Sequence, residues 1–140
     1  MTRPRLAAVL ETALYVADLP RARRFYEELL GLTPMFADER LAAYAVGASV
    51  LLLFQRGTTE QPVRLPGGCI PSHGAQGCQH LALALAVAAD ELEAWAAHLV
   101  AAGVAIEERT RWPRGAISLY FRDPDGHLLE LATPGLWPNY

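Results

Sequence analysis

The spacing of apolar residues changes along the chain from a period of two to a helical period and back, and it does so twice. In the first half, TALYV alternates small or polar with large apolar residues and reads as a strand. Asp18-Leu19-Pro20 then places an N-cap residue and a first-turn proline before RARRFYEELL, which Gly31 ends. Ala22, Phe25, Tyr26 and Leu29 give this helix its apolar stripe. Three strands are expected next, over Thr33 to Ala37, Leu41 to Val46 and Val50 to Gln55, the last after a turn at Gly47.

The second half repeats the order. A strand runs from His80 to about Val87, and Asp90 with Glu93 forms a D-x-x-E capping box. Leu92, Trp95, Leu99 and Ala102 form the stripe, and Gly103 stops the helix. Strands follow at Val104 to Glu108, Ile117 to Phe121 and Leu128 to Ala132. Between the last two, Asp123-Pro124-Asp125-Gly126 supplies the residues of a hairpin turn.

Each half therefore reads β-α-β-β-β. The first module covers about residues 6–55 and the second 80–133, within one domain of residues 1–140. The connector at 56–79 holds Gly67, Gly68, Gly74 and Gly77. A loop of this length reads equally as a lid over a site or as a link between repeats.

Alternation also separates the strand faces. Glu11, Ala13 and Tyr15 oppose Thr12, Leu14 and Val16. His80, Ala82 and Ala84 oppose Leu81, Leu83 and Leu85. Leu128, Glu130 and Ala132 oppose Leu129 and Leu131. In each strand the large aliphatic face suits the underside of a helix, whereas the other carries a titratable residue flanked mostly by small alanines. A carboxylate or imidazole buried on such a face carries a heavy desolvation penalty unless it is paired, protonated or metal-bound. Together Glu11, His80 and Glu130 offer two carboxylates and an imidazole, a donor set suited to Mn, Fe, Ni, Co or Zn. Taken singly, each has a plain alternative as a satisfied core group or a wet strand edge.

Composition narrows the field. The chain has 140 residues, 52% hydrophobic and 19% charged, too apolar for disorder and long enough for one core. Twelve Lys+Arg against fifteen Asp+Glu give a net charge of -3, which argues against nucleic acid as a partner. Leu81 to Ala89 is the longest apolar run, well short of the roughly 20 residues of a membrane span. With no secretory signal in the first residues, a cytoplasmic location is the expectation. Cys69 and Cys78 match no zinc or redox spacing and read as free, reduced thiols.

Three segments carry a family resemblance. ETALYVADLPRARRFYEELLGL at 11–32, QHLALALA at 79–86 and LYFRDPDGHLLELATP at 119–134 resemble the vicinal oxygen chelate superfamily of glyoxalases, bleomycin and fosfomycin resistance proteins and extradiol dioxygenases. The resemblance implies an α+β fold in which two βαβββ modules form a cupped mixed sheet around a metal, with helices on the outer face. By position, His80 matches the opening ligand of the second module and Glu130 its closing ligand, while Glu11 stands where many members have His and some Gln or Glu. The fourth ligand place holds Leu52, which argues against glyoxalase I activity. Two carboxylates with one His make a harder site than the two-His, one-carboxylate set of the dioxygenases.

The implied function is a metal-dependent small-molecule enzyme of lyase, isomerase or dioxygenase type, with Glu11 and Glu130 as ligands that double as proton-shuttling bases. The alternatives are a metal-free, bleomycin-resistance-like binding protein that sequesters a toxic compound, and an interaction domain with a vestigial site. Ser118, Tyr120 and Arg122 on one strand face, with Trp112, Arg114, Arg109 and Arg111 in the preceding loop, are candidates for gripping an anionic substrate. The same arginines read equally as a solvated loop, and His73 reads as exposed. Members of the family dimerise, so a homodimer is expected. The apolar tail at Leu136, Trp137 and Tyr140 is left to cover either its own subunit or a neighbour.

Overall fold

The structure, a computed structural model, describes residues 2–86 and 89–140. It divides into two compact units, Met1–Gln76 and Gly77–Tyr140.

The first unit contains β1 (Glu11–Val16), helix α1 (Leu19–Arg24), β2 (Pro34–Ala37), β3 (Leu41–Val46), β4 (Ser49–Gln55) and a short hairpin of β5 (Val63–Leu65) and β6 (Gly68–Ile70). Its main sheet has the order β1-β4-β3-β2, with β1 parallel to β4 and the other neighbours antiparallel. Asp18 caps α1 by accepting the Arg21 N–H at 3.1 Å. The helix then widens into a π turn over Phe25–Leu29, closed by the Leu30 N–H on the Phe25 carbonyl at 3.1 Å, before Gly31 adopts a φ of 76°. Leu19, Ala22, Tyr26 and Leu30 are its buried side chains, whereas Phe25 and Leu29 are half-buried. They pack on β3 and β4, and the buried side chains of the sheet include Leu14 and Val16, the aliphatic face that alternation singled out in β1, with Leu51 and Leu53 of β4.

The second unit contains β7 (His80–Ala84), α2 (Ala89–Ala101), β8 (Glu108–Arg111), β9 (Ile117–Arg122) and β10 (Leu128–Ala132). Its sheet order, β7-β10-β9-β8, repeats that of the first unit, and β7 is parallel to β10. Both units are thus βαβββ and the fold is α+β.

Several boundaries differ from the sequence expectation. β8 begins at Glu108, not Val104, because the Val104 N–H is held by the Leu99 carbonyl at 2.9 Å in wrapping the end of α2. Arg109 and Arg111 consequently lie on a strand. Asp90 falls inside the first turn of α2, and Glu93 pairs with Arg109, so the two do not form a capping box. β7 ends at Ala84, short of the expected strand end; Val87 itself and Ala88, the position before α2, lie outside the described residues. The α2 stripe buries Leu92, Ala96 and Leu99, with Trp95 half-buried and Ala102 exposed, since the helix ends before 102 can face the sheet.

The turn after β9 follows the expected plan. Asp123 Oδ1 accepts the N–H groups of Asp125 and His127, both at 2.9 Å, and Gly126 takes a φ of 79°. Of the tail residues, Tyr140 is bound to its own unit, its hydroxyl reaching the carbonyls of Leu85 at 2.6 Å and Ala132 at 2.5 Å, while Trp137 is exposed. Both cysteines are free and exposed. Among the described residues no helix is long and apolar enough to cross a membrane.

Candidate metal centre and ligand cavity

β10 carries the central carboxylate. Leu129, Leu131 and Ala132 of this strand are buried, and Glu130 itself is only 4% exposed. Pairing sets Glu130 opposite Tyr120 on β9 and Ala82 on β7, so a small residue flanks it on one side and a phenol on the other. An ionised carboxylate in such a place needs donors. The Ser118 hydroxyl supplies one to Oε2, and the Trp112 indole N–H in turn donates to Ser118 Oγ at 2.8 Å. Indole nitrogen can only donate, so the chain of hydrogen bonds has one direction: Trp112 to Ser118 to Glu130.

The other oxygen, Oε1, stands 3.3 Å from His80 Nε2. His80 Nδ1 lies 2.9 Å from the Leu128 carbonyl, which can only accept, so Nδ1 carries a proton and Nε2 is the atom left to face Glu130. A backbone carbonyl fixing one ring nitrogen while the other points at a carboxylate oxygen is the outer support that metal-binding histidines require. The pair therefore fits a divalent ion by the chemistry and orientation of its donors.

Tyr120 adjoins both groups, its ring centroid 6.4 Å from that of His80. Burial, and then the negative charge of Glu130, raise its phenol above the ordinary value, so it is a protonated donor at neutral pH.

Glu11 opens β1 of the first unit and is exposed, and His80 is also exposed. The burial penalty expected for all three donors thus applies within the described chain to Glu130 alone. Among the described residues no group of three or more His, Cys, Asp or Glu is placed to hold a metal ion. The strand registers explain Leu52: β1 sets Ala13 opposite Leu52 just as β7 sets Ala82 opposite Glu130. Leu52 is thus the first unit's counterpart of the second unit's carboxylate.

Glu11 lines a cavity of about 540 Å³ in the first unit, together with Ala13, Tyr15, Leu52, Phe54 and His73. His73 is not the exposed residue expected from sequence. Its Nδ1 lies 2.5 Å from the Tyr15 hydroxyl, and its N–H and carbonyl both bond to the buried Thr59, at 2.9 and 2.6 Å. Burial holds the Tyr15 phenol above its ordinary value, so Tyr15 keeps its proton at neutral pH. A histidine in a glycine-rich loop carries no local sign of this; the contact depends on the connector folding back on β1. The connector also forms the β5–β6 hairpin, and Ile70 at its end joins the cavity lining.

The expected substrate-gripping residues separate. Ser118 and Trp112 support Glu130, and Tyr120 lies beside it. Arg122 makes a two-pronged pair with Glu107 at 2.7 and 2.9 Å, and Arg109 pairs with Glu93; both pairs are at the surface. Arg111 and Arg114 are exposed.

Two βαβββ units with a buried carboxylate facing a pinned imidazole define a protein of the glyoxalase type. The sequence profile described as Glyoxalase/Bleomycin resistance protein/Dioxygenase superfamily matches residues 8–131, and the chain belongs to that superfamily. It is 32% identical over 131 residues to "Glutathione transferase FosA" of Serratia marcescens, spanning 94% of this chain and 84% of that protein. It is 30% identical over 122 residues to "Metallothiol transferase FosB" of Shouchella clausii, spanning 84% of this chain and 74% of that one. The crystal structure of lactoylglutathione lyase from Agrobacterium tumefaciens superimposes with a TM-score of 0.85 at 32% identity, covering 96% of this chain and 98% of the other.

Proposed function

We propose that this protein is a metal-dependent enzyme acting on a small molecule, with His80, Glu130 and Glu11 as the ligands of a divalent ion. The observation that carries the reading is Glu130, a buried carboxylate held by Ser118 on one oxygen and facing His80 Nε2 with the other. When bound, the ion supplies Lewis acidity toward substrate oxygens.

The chain's own residues do the rest. His80 is kept in one tautomer by the Leu128 carbonyl, and Glu130 is kept in one orientation by Ser118. Glu130 Oε1 is the atom that takes or returns a substrate proton, with Glu11 as a second carboxylate able to do so. Tyr120, kept protonated, donates a hydrogen bond to substrate oxygen beside His80. Two of the relatives are thiol transferases by name and the solved structure is a lyase of a glutathione adduct, which supports a lyase or transferase acting on a thiol or its adduct. Such chemistry suits a substrate that is anionic, and a homodimer is the proposed assembly.

Elemental analysis of protein purified without a chelating tag tests this reading. About one divalent ion per chain, lost in His80→Ala with the fold intact, is the expected result. A folded protein that takes up no metal under any loading condition points instead to the sequestering binding protein.

A further inference from the structure

The two sheets share one register, so differences between equivalent positions show what each face is shaped for. At the pair after the carboxylate level the second unit places Ala84 opposite Ala132, and the first unit places Tyr15 opposite Phe54. At the carboxylate level it has Leu52 in place of Glu130. The first unit has therefore exchanged a donor and two small residues for an apolar floor and an aromatic wall.

That wall is organised. The rings of Tyr15 and Phe54 stack with centroids 5.9 Å apart and planes 19° apart, and His73 meets Phe54 edge-on at 4.9 Å and 75°. The Arg40 guanidinium carbon lies 5.6 Å from the Phe54 ring centre, over its face. Arg40 Nε makes only a 3.4 Å contact with the Thr58 carbonyl; the backbone N–H of Arg40 bonds to Asp38 Oδ1, but among the described residues its guanidinium forms no ion pair with a carboxylate. A half-buried guanidinium with terminal N–H groups to offer, set against a ring face, suits a carboxylate approached in its plane. Ala13 leaves space on the sheet between Glu11 and Tyr15. The cavity volume of about 540 Å³ falls within the range of small-molecule sites.

We propose that this cavity takes a planar aromatic carboxylate, its ring against Leu52 and Phe54 and its carboxylate on Arg40. The inference rests on the reading of the chain as a small-molecule enzyme and names the class of its second substrate, the one that is not the thiol. The ring fills apolar surface that a small polar substrate leaves exposed, and the anion answers the Arg40 guanidinium.

The test is titration of the full-length protein with 2-naphthoate, followed by calorimetry and by amide chemical shifts. Acetate serves as the anion without a ring and 2-naphthylmethanol as the ring without an anion. Expected are saturable naphthoate binding, shifts at Ala13, Leu52 and Phe54, and acetate binding at least tenfold weaker. Arg40→Gln, at a partly exposed site outside the core, is expected to weaken naphthoate at least fivefold and to leave naphthylmethanol unchanged. Phe54→Leu, which keeps an apolar side chain but removes the ring, is expected to weaken both about threefold. Equal binding of acetate and naphthoate, an unchanged constant in Arg40→Gln, or shifts confined to other residues would overturn the proposal. Repeating the titration in His80→Ala separates the two readings. Naphthoate binding there shows that the cavity holds even if no metal is taken up, and loss of binding in metal-loaded native protein removes this inference alone.

Discussion

Glu130 and Ser118 form the inner contact of the second unit: a hydroxyl at zero exposure donates to a carboxylate oxygen on the neighbouring strand. Position pairs them only diagonally, since Ser118 is opposite Ala132 and Glu130 opposite Tyr120. The contact therefore depends on both side chains pointing to the same face, and it leaves Glu130 Oε1 free to turn to His80.

Ser118→Ala is expected to remove that donor and the acceptor of the Trp112 indole N–H. Leaving a buried carboxylate oxygen unpaired costs about 1–3 kcal/mol, and Trp112 is partly exposed so that water can take its N–H, so urea unfolding should show a loss in that range. Metal affinity should fall about 10- to 100-fold, as for other outer supports of a ligand. A variant with native metal affinity would show that Ser118 has no part in holding the site.

Metal removal is expected to lower the melting temperature, and re-addition to restore it. An ion at 100 times its dissociation constant stabilises the native state by about 2.7 kcal/mol. Glu130→Gln, which keeps shape and loses charge, should show no metal-dependent shift in differential scanning calorimetry.

Tyr140→Phe removes the hydroxyl that reaches the Leu85 and Ala132 carbonyls, which tie the end of the chain to β7 and β10. A loss of about 1–3 kcal/mol in chemical denaturation is expected, with metal content unchanged. An unaffected midpoint would mean that the tail adds nothing to the second unit.

Stability is expected to fall in alkali through Tyr44. Its phenol is fully buried and bonds to Glu27 Oε1 at 3.1 Å, and burial first, then Glu27, raise it well above the ordinary range. Because the folded state holds this proton more tightly than the unfolded chain, the stabilisation is complete below about pH 10 and lost as pH rises beyond it. Denaturation midpoints at pH 8 and pH 11 should differ less in Tyr44→Phe than in the native protein.

The sequence by itself determined the repeat, the element order and the strand faces. Those depend on local periods, caps such as Asp18 and turns such as Asp123-Pro124-Asp125-Gly126, each legible within a few residues. It also marked Glu11, His80 and Glu130, because a titratable residue flanked mostly by alanines on a strand breaks the pattern that burial demands, and of these only Glu130 is buried. What only the tertiary structure decided were contacts between residues far apart in the chain. Glu93 finds Arg109 in place of a cap, the Glu107 N–H finds the Tyr120 carbonyl, and His80 faces Glu130. His73 was unreadable for the same reason: its role comes from Tyr15, 58 positions earlier, and no local period or propensity encodes a hydrogen bond made by a connector folding back on the first strand.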